Sequence, residues 1–142
     1  MSNIDIVKAG QAAWCAGNWD AVAASLTDDF VFSGPVPQPL NKEAFISLGK
    51  ALLTAIPDWD FHAHDFREEG DKVYVADAVT GTHTGTLAII PGVPPVAATG
   101  KSIKLSGDQA IYTFRGNLVS SFEVQTSGGV PEIYAQVGAP LA

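Results

Sequence analysis

Apolar residues at helical spacing up to Ile56, period-two alternation after Trp59 and the absence of internal repeats predict an α+β fold, with helices packed on one face of a curved antiparallel sheet. Ser2 or Asn3 can cap a first helix whose stripe Ile4, Val7, Gln11, Trp14 stops at Gly17, and Gln11 is the polar member of that stripe. Asn18 caps a short second helix with Trp19, Val22, Ala23 and Leu26 on its inner side. Phe30-Val31-Phe32 then reads as a strand running into the breaker-rich Gly34-Pro35-Val36-Pro37-Gln38-Pro39. Asn41 caps the third helix, with the stripe Phe45, Leu48, Leu52, which ends before Pro57.

Strands follow. Phe61 to Phe66 and Val73 to Thr82 form a hairpin turning through Glu69-Gly70, and if Glu68 faces Asp71 then His62 lies opposite Asp77 and His64 opposite Val75. A Pro-rich loop, Pro91 to Pro95, leads to a second hairpin over residues 103–114 and 118–125. Gly128-Gly129-Val130-Pro131 opens a short last helix around Ile133 to Val137, with Pro131 suited to a first helical turn. No linker or second domain interrupts residues 1–142.

Composition narrows the function classes. Eight basic against fifteen acidic residues give a net charge of −7, and Lys and Arg are nowhere clustered, so nucleic acid is excluded as a partner. Cys15 is the single cysteine, and with three scattered His it offers no metal-ligand spacing, so no metal or other cofactor is expected. The N-terminus has no basic segment followed by an apolar run, and no apolar stretch approaches a membrane span, which makes a cytoplasmic protein with no membrane partner the expectation. A mean hydropathy of +0.16 with 46% hydrophobic residues exceeds what one core of this size explains. A homodimer through sheet faces is therefore expected.

The second hairpin carries the candidate chemistry. With a three-residue connection Arg115-Gly116-Asn117, opposed residue numbers sum to 232, which sets Gln109 against Glu123 and Ile111 against Ser121. A two-residue turn at Gly116-Asn117 would instead oppose Gln109 to Val124 and send Glu123 to the other face. In the first register Glu123 enters a pocket walled by Trp14, Phe32, Leu48 and Ile111, where a carboxylate loses hydration and becomes a stronger base. Glu123 would remove a proton next to a carbonyl and return it, while Gln109 donates to the enolate oxygen. The competing reading is a hydrogen-bonded polar pair on a solvated strand face.

Taken with Ala16-Gly17-Asn18-Trp19-Asp20, Asp28-Asp29-Phe30, Ile56-Pro57-Asp58-Trp59, Gly81-Thr82-His83-Thr84-Gly85, Gly116-Asn117-Leu118 and Tyr134-Ala135-Gln136-Val137-Gly138, the chain resembles the SnoaL-like polyketide cyclases of the nuclear transport factor 2-like superfamily. The resemblance implies a cone-shaped sheet with three N-terminal helices and a short C-terminal helix enclosing a pocket. It also implies cofactor-free acid–base catalysis by Glu123 with Gln109, intramolecular aldol cyclisation or isomerisation being the reaction. Glu123 stands where those cyclases carry Asp, and Ile111 and Ser121 stand where they carry His. The resemblance further places His83 near the pocket mouth and Trp14 in its roof. Substrate contact is thus expected from Trp14, Phe32, Leu48, His83, Ile111 and Ser121, and the ligand is a small apolar or aromatic carbonyl compound. The alternatives are a non-catalytic binding or dimerisation module of the same fold, or an epoxide hydrolase or isomerase. The hydrolase needs acids bridged by Arg, and Arg115 lies in a turn.

Overall fold

The computed structural model describes residues 2–34, 38–90, 92–105, 108–125 and 130–139. Helix α1 (Asn3–Ala16) begins at a capping box in which Ser2 Oγ accepts the Asp5 N–H and the Asp5 carboxylate accepts the Ser2 N–H, each at 3.2 Å. Two of the amide donors that a helix start leaves open are thereby satisfied. The helix stops at Gly17, whose φ of +73° is the left-handed geometry that glycine adopts without strain. Asn18 caps α2 (Trp19–Ala24), and Asn41 caps α3 (Lys42–Ala55).

Leu26 does not extend α2. The Ser25 N–H and hydroxyl both bond the Val22 carbonyl, and the chain leaves the helix there, so Leu26 opens strand β1 (Leu26–Ser33). The remaining elements are β2 (Leu40–Asn41), β3 (His64–Glu69), β4 (Lys72–Asp77), β5 (Thr80–Thr82), β6 (Ser102–Lys104), β7 (Asp108–Arg115), β8 (Leu118–Gln125) and α4 (Val130–Gln136). The Gly128-Gly129 approach to the last helix lies outside the described residues.

Six strands form one curved sheet in the order β2-β1-β8-β7-β4-β3. It is mixed rather than wholly antiparallel, because β1 and β8 run parallel. Parallel neighbours require a long crossover, and everything from α3 to β7 lies between these two. The expected strand Val73 to Thr82 is also broken: β4 ends at Asp77, and β5 pairs with β6 in a separate two-stranded ribbon. Buried side chains from the helices and from the inner sheet face, among them Val7, Phe30, Ile56, Val73, Val75 and Ala110, form the core between the layers.

Register departs from expectation in both hairpins, first through the position of the turn and then through a bulge. In the first, Gly70-Asp71 is the turn, with Glu69 opposite Lys72. Asp65, at φ +56°, is then an extra residue, so Arg67 faces Tyr74 while His64 faces Ala76. His62 precedes the strand and lies 2.8 Å from Thr80 Oγ1 through Nε2, not opposite Asp77.

The ribbon is tied to the end of α3. The Thr84 and Gly85 amides both donate to the Ala55 carbonyl, and a Cβ on Gly85 would collide with the Thr54 carbonyl oxygen. Gly85→Ala should therefore cost about 2 kcal/mol or more, read as a lower urea midpoint. Asp58 makes the neighbouring tie, accepting the Thr82 N–H at 2.7 Å and the Thr82 hydroxyl at 2.8 Å. These bonds, the amide foremost, hold its carboxyl below the usual aspartate range. A depressed carboxyl stabilises the fold above its unfolded pKa of about 3.9, and that contribution disappears as pH falls through the lower folded value. The melting temperature of wild type should exceed that of Asp58→Ala at pH 6, and the two should converge as pH drops below about 4.

Candidate active site

The inner face of the sheet and the inward faces of the helices line a cavity of ≈ 140 Å³. Trp14 of α1, Phe32 of β1 and Leu48 of α3 line it as expected, joined by Trp59, Phe61 and Phe122. The lining is aromatic at both ends. Trp14 packs at 5.2 Å between ring centroids against both Trp59 and Phe61, and Phe32 packs at 4.9 Å against Phe45 and 5.2 Å against Phe122. Such contacts fix large side chains in place, so the walls hold their shape.

A polar cluster is set into this apolar wall. Gln11 of α1 donates from Nε2 to Asp77 Oδ1 at 3.4 Å and to the Tyr112 hydroxyl at 3.1 Å. All three side chains line the cavity, and Asp77 and Tyr112 are buried. Their positions follow from strand alternation: Val73, Val75 and Asp77 point inward from β4, and Ala110, Tyr112 and Phe114 from β7. Burial, reinforced by the charge of Asp77 and opposed by the Gln11 hydrogen bond, pushes the Tyr112 hydroxyl far above the ordinary tyrosine range. Tyr112 therefore stays protonated at every physiological pH.

The β7–β8 hairpin places the expected acid–base pair elsewhere. Its turn is the two-residue Gly116-Asn117, with Arg115 opposite Leu118, but Ser120 is an extra residue between the pairs Phe114–Val119 and Thr113–Ser121. Beyond this bulge Ile111 faces Glu123 and Gln109 faces Gln125. Glu123 and Gln109 still share a face as diagonal neighbours, yet it is the outer one, where both are exposed. The reason is that alternation can bury only one set, and Tyr112, Phe114, Phe122 and Val124 carry more apolar surface than Gln109, Ile111, Ser121 and Glu123. Ile111 and Ser121 accordingly lie half-buried on the outer face and do not line the cavity.

His83 is also away from the cavity lining. It is fully buried beside the ribbon, its amide bonded to the Lys101 carbonyl and its Nδ1 2.8 Å from Thr99 Oγ1. The Thr99 N–H also points at Nδ1, at 3.3 Å. Arg115 forms a bidentate pair with Asp29 at 3.1 and 3.0 Å, both residues largely exposed. No arginine lines the cavity, and among the described residues no group of three His, Cys, Asp or Glu is placed to hold a metal ion.

Gln11, Asp77 and Tyr112 were open to sequence reasoning through one signal. Each is a polar group at an inward position of an otherwise apolar stripe or strand, and such a group needs a buried partner.

Comparison with known proteins agrees with this architecture. The family model described as SnoaL-like domain matches residues 7–122. A candidate SnoaL-like polyketide cyclase from Jannaschia sp. CCS1 superposes with a TM-score of 0.78 at 20% identity, covering 98% of this chain and 93% of its own. A candidate polyketide cyclase from Acidithiobacillus ferrooxidans gives 0.71 at 25% identity, covering 96% and 97%. IdmH, a candidate polyketide cyclase from Streptomyces antibioticus, gives 0.72 at 18% identity, covering 97% and 99%. No curated protein matches the chain.

The Gln11 amide serves two acceptors, so the polar cluster should behave as a unit. Tyr112→Phe should destabilise by about 1 kcal/mol, whereas Gln11→Leu, which strips the donor from two buried oxygens, should cost about 1–3 kcal/mol. In a double-mutant cycle by urea denaturation, the pair should depart from additivity by about 0.5 kcal/mol or more.

Proposed function

From a chain that belongs to the SnoaL-like domain family, we propose a cofactor-free acid–base enzyme that isomerises or cyclises a small carbonyl compound inside the cavity, with Asp77 as the base. The observation that carries this reading is a buried carboxylate held by Gln11 in the wall of an apolar cavity. A carboxylate with few water molecules around it is a stronger base toward a carbon acid than one in bulk solvent. Asp77 takes a proton from the carbon beside the carbonyl and returns it to another carbon of the conjugated enolate, or holds it while a new carbon–carbon bond forms. Gln11 and Tyr112 act as positioning residues that fix the carboxylate against the substrate. Glu123 has no part in this chemistry.

The experiment is the conversion of cyclohex-3-enone to its conjugated isomer cyclohex-2-enone, followed by ultraviolet absorbance. Asp77→Asn should lower the rate by about 10²-fold or more, since it removes the proton acceptor at nearly constant volume. Glu123→Gln should leave it within about 2-fold, as expected of an exposed side chain outside the cavity. Equal rates for wild type and Asp77→Asn would make a non-catalytic binding module the better reading.

The outer sheet face supports a second proposal, a homodimer. Val31 of β1 is 42% exposed there, and Tyr74, Ala76 and Ile111 lie half-buried on β4 and β7 of the same face, across β8 from it. Light scattering at micromolar concentration should give twice the chain mass, and Ile111→Glu should shift it toward the monomer.

A further inference from the structure

Gly10 stands in the middle of α1, lines the cavity, and a Cβ added to it would meet nothing within 4 Å among the described residues. A glycine inside a helix weakens it, because the chain gives up more backbone freedom there than at an alanine. Packing does not require this one. Gly49 of α3 is the contrast: it also lines the cavity, but a Cβ on it would come within 2.8 Å of Trp14 Nε1 and of the Trp19 ring.

The seam between α1 and α3 closes toward the C-terminal end of α1. Gly17 lies about two turns beyond Gly10 on the same side of the helix, and a Cβ there would sit 3.5 Å from Leu53 Cδ2 of α3. At Gly10 the seam is open. The cavity-lining residues of these two helices that are also partly exposed are Ile6, Gly10 and Gln11 on α1 and Leu48 on α3, so each borders both the interior and solvent. Of these, Gln11 is tied to Asp77 and Tyr112. Elsewhere on the wall, Phe61 packs against Trp14 and Trp59, and Ser25 bonds the Val22 carbonyl.

We infer that Gly10 is the threshold of the cavity: an apolar ring enters and leaves over its bare backbone, through the seam between α1 and α3, and the missing side chain sets the width of the passage. This rests on the reading of the cavity as a ligand site and not on the role of Asp77. A side chain at position 10 would lean back over the preceding turn, that of Ile6, and so narrow the seam. It would raise the barrier to passage without altering the space inside, and a barrier between two unchanged end states slows entry and exit equally. Gln11 is the next residue along, so a ligand crossing here arrives at the turn of α1 that carries the donor of the polar cluster.

Fluorobenzene serves as the probe, since a void of ≈ 140 Å³ is close to the apolar cavity of about 150 Å³ that admits benzene. Exchange followed by 19F NMR gives its entry rate, exit rate and dissociation constant. Gly10→Leu should slow entry and exit together by about 10-fold or more and leave the dissociation constant within about 2-fold. Ala9→Leu, on the exposed side of the same turn, should change neither rate. Gly10→Ala should raise the melting temperature by roughly 2–5 °C, and a fall would reveal a packing role and overturn the assignment. An unchanged entry rate in Gly10→Leu would overturn it as well, and weaker binding at that unchanged rate would make Gly10 part of the wall that holds the ligand. Failure of fluorobenzene to bind the unsubstituted protein would remove the ligand site itself, threshold included. If Gly10→Leu leaves entry untouched while Asp77→Asn still suppresses enone isomerisation, the threshold alone is wrong and the reaction site stands.

Discussion

The stacked pair of Tyr112 and Phe122 is the contact on which the rest of the site depends. The two rings sit directly opposite each other on β7 and β8, 4.3 Å apart and inclined by 15°. Because side chains alternate along a strand, holding this pair inward decides the face of every other residue on both strands. It turns Ala110 and Phe114 inward with Tyr112, and Gln109, Ile111 and Glu123 outward. Phe122 in turn contacts Phe32 and Phe45, so the register of the central hairpin is fixed by the same aromatic cluster that closes one end of the cavity.

The polar cluster is an outcome of that register. Once Tyr112 faces inward, its hydroxyl stands where Gln11 can reach it from α1, and Val73 and Val75 turn Asp77 toward the same place from β4. Three elements distant in sequence thus converge on one carboxylate without any of them departing from regular geometry. The cost of burying the carboxylate is offset in part by the Gln11 amide, which the first helix holds in place.

Helix starts, the α+β class and the apolar stripes were legible in the sequence because each rests on local chemistry. Ser2, Asn18 and Asn41 cap the helices as their side chains require, and Trp14, Phe32 and Leu48 fall on the inward faces that their periodicity indicated. Face and register were not legible, because a single inserted residue changes them. The turn at Gly116-Asn117 has two residues, and Ser120 then adds the third that restores even parity, so neither simple turn length describes the ladder. Ile111 on β7 also blurred the contrast between the two faces, and only comparison of the full sets, Tyr112 and Phe114 against Gln109 and Thr113, separates them. The parallel pairing of β1 with β8 leaves no mark in either strand, since it depends on how the intervening chain returns to the sheet.

The tryptophans have a consequence for how the molecule can be observed. The chain has three, and Trp14 packs at 5.6 Å against Trp19 and at 5.2 Å against Trp59. Excitation shared among indoles this close is emitted by whichever site lies lowest in energy, and two of the three are cavity wall. The intrinsic ultraviolet emission of the protein is therefore a property of one internal chamber, and its colour and lifetime track the polarity of whatever fills that space.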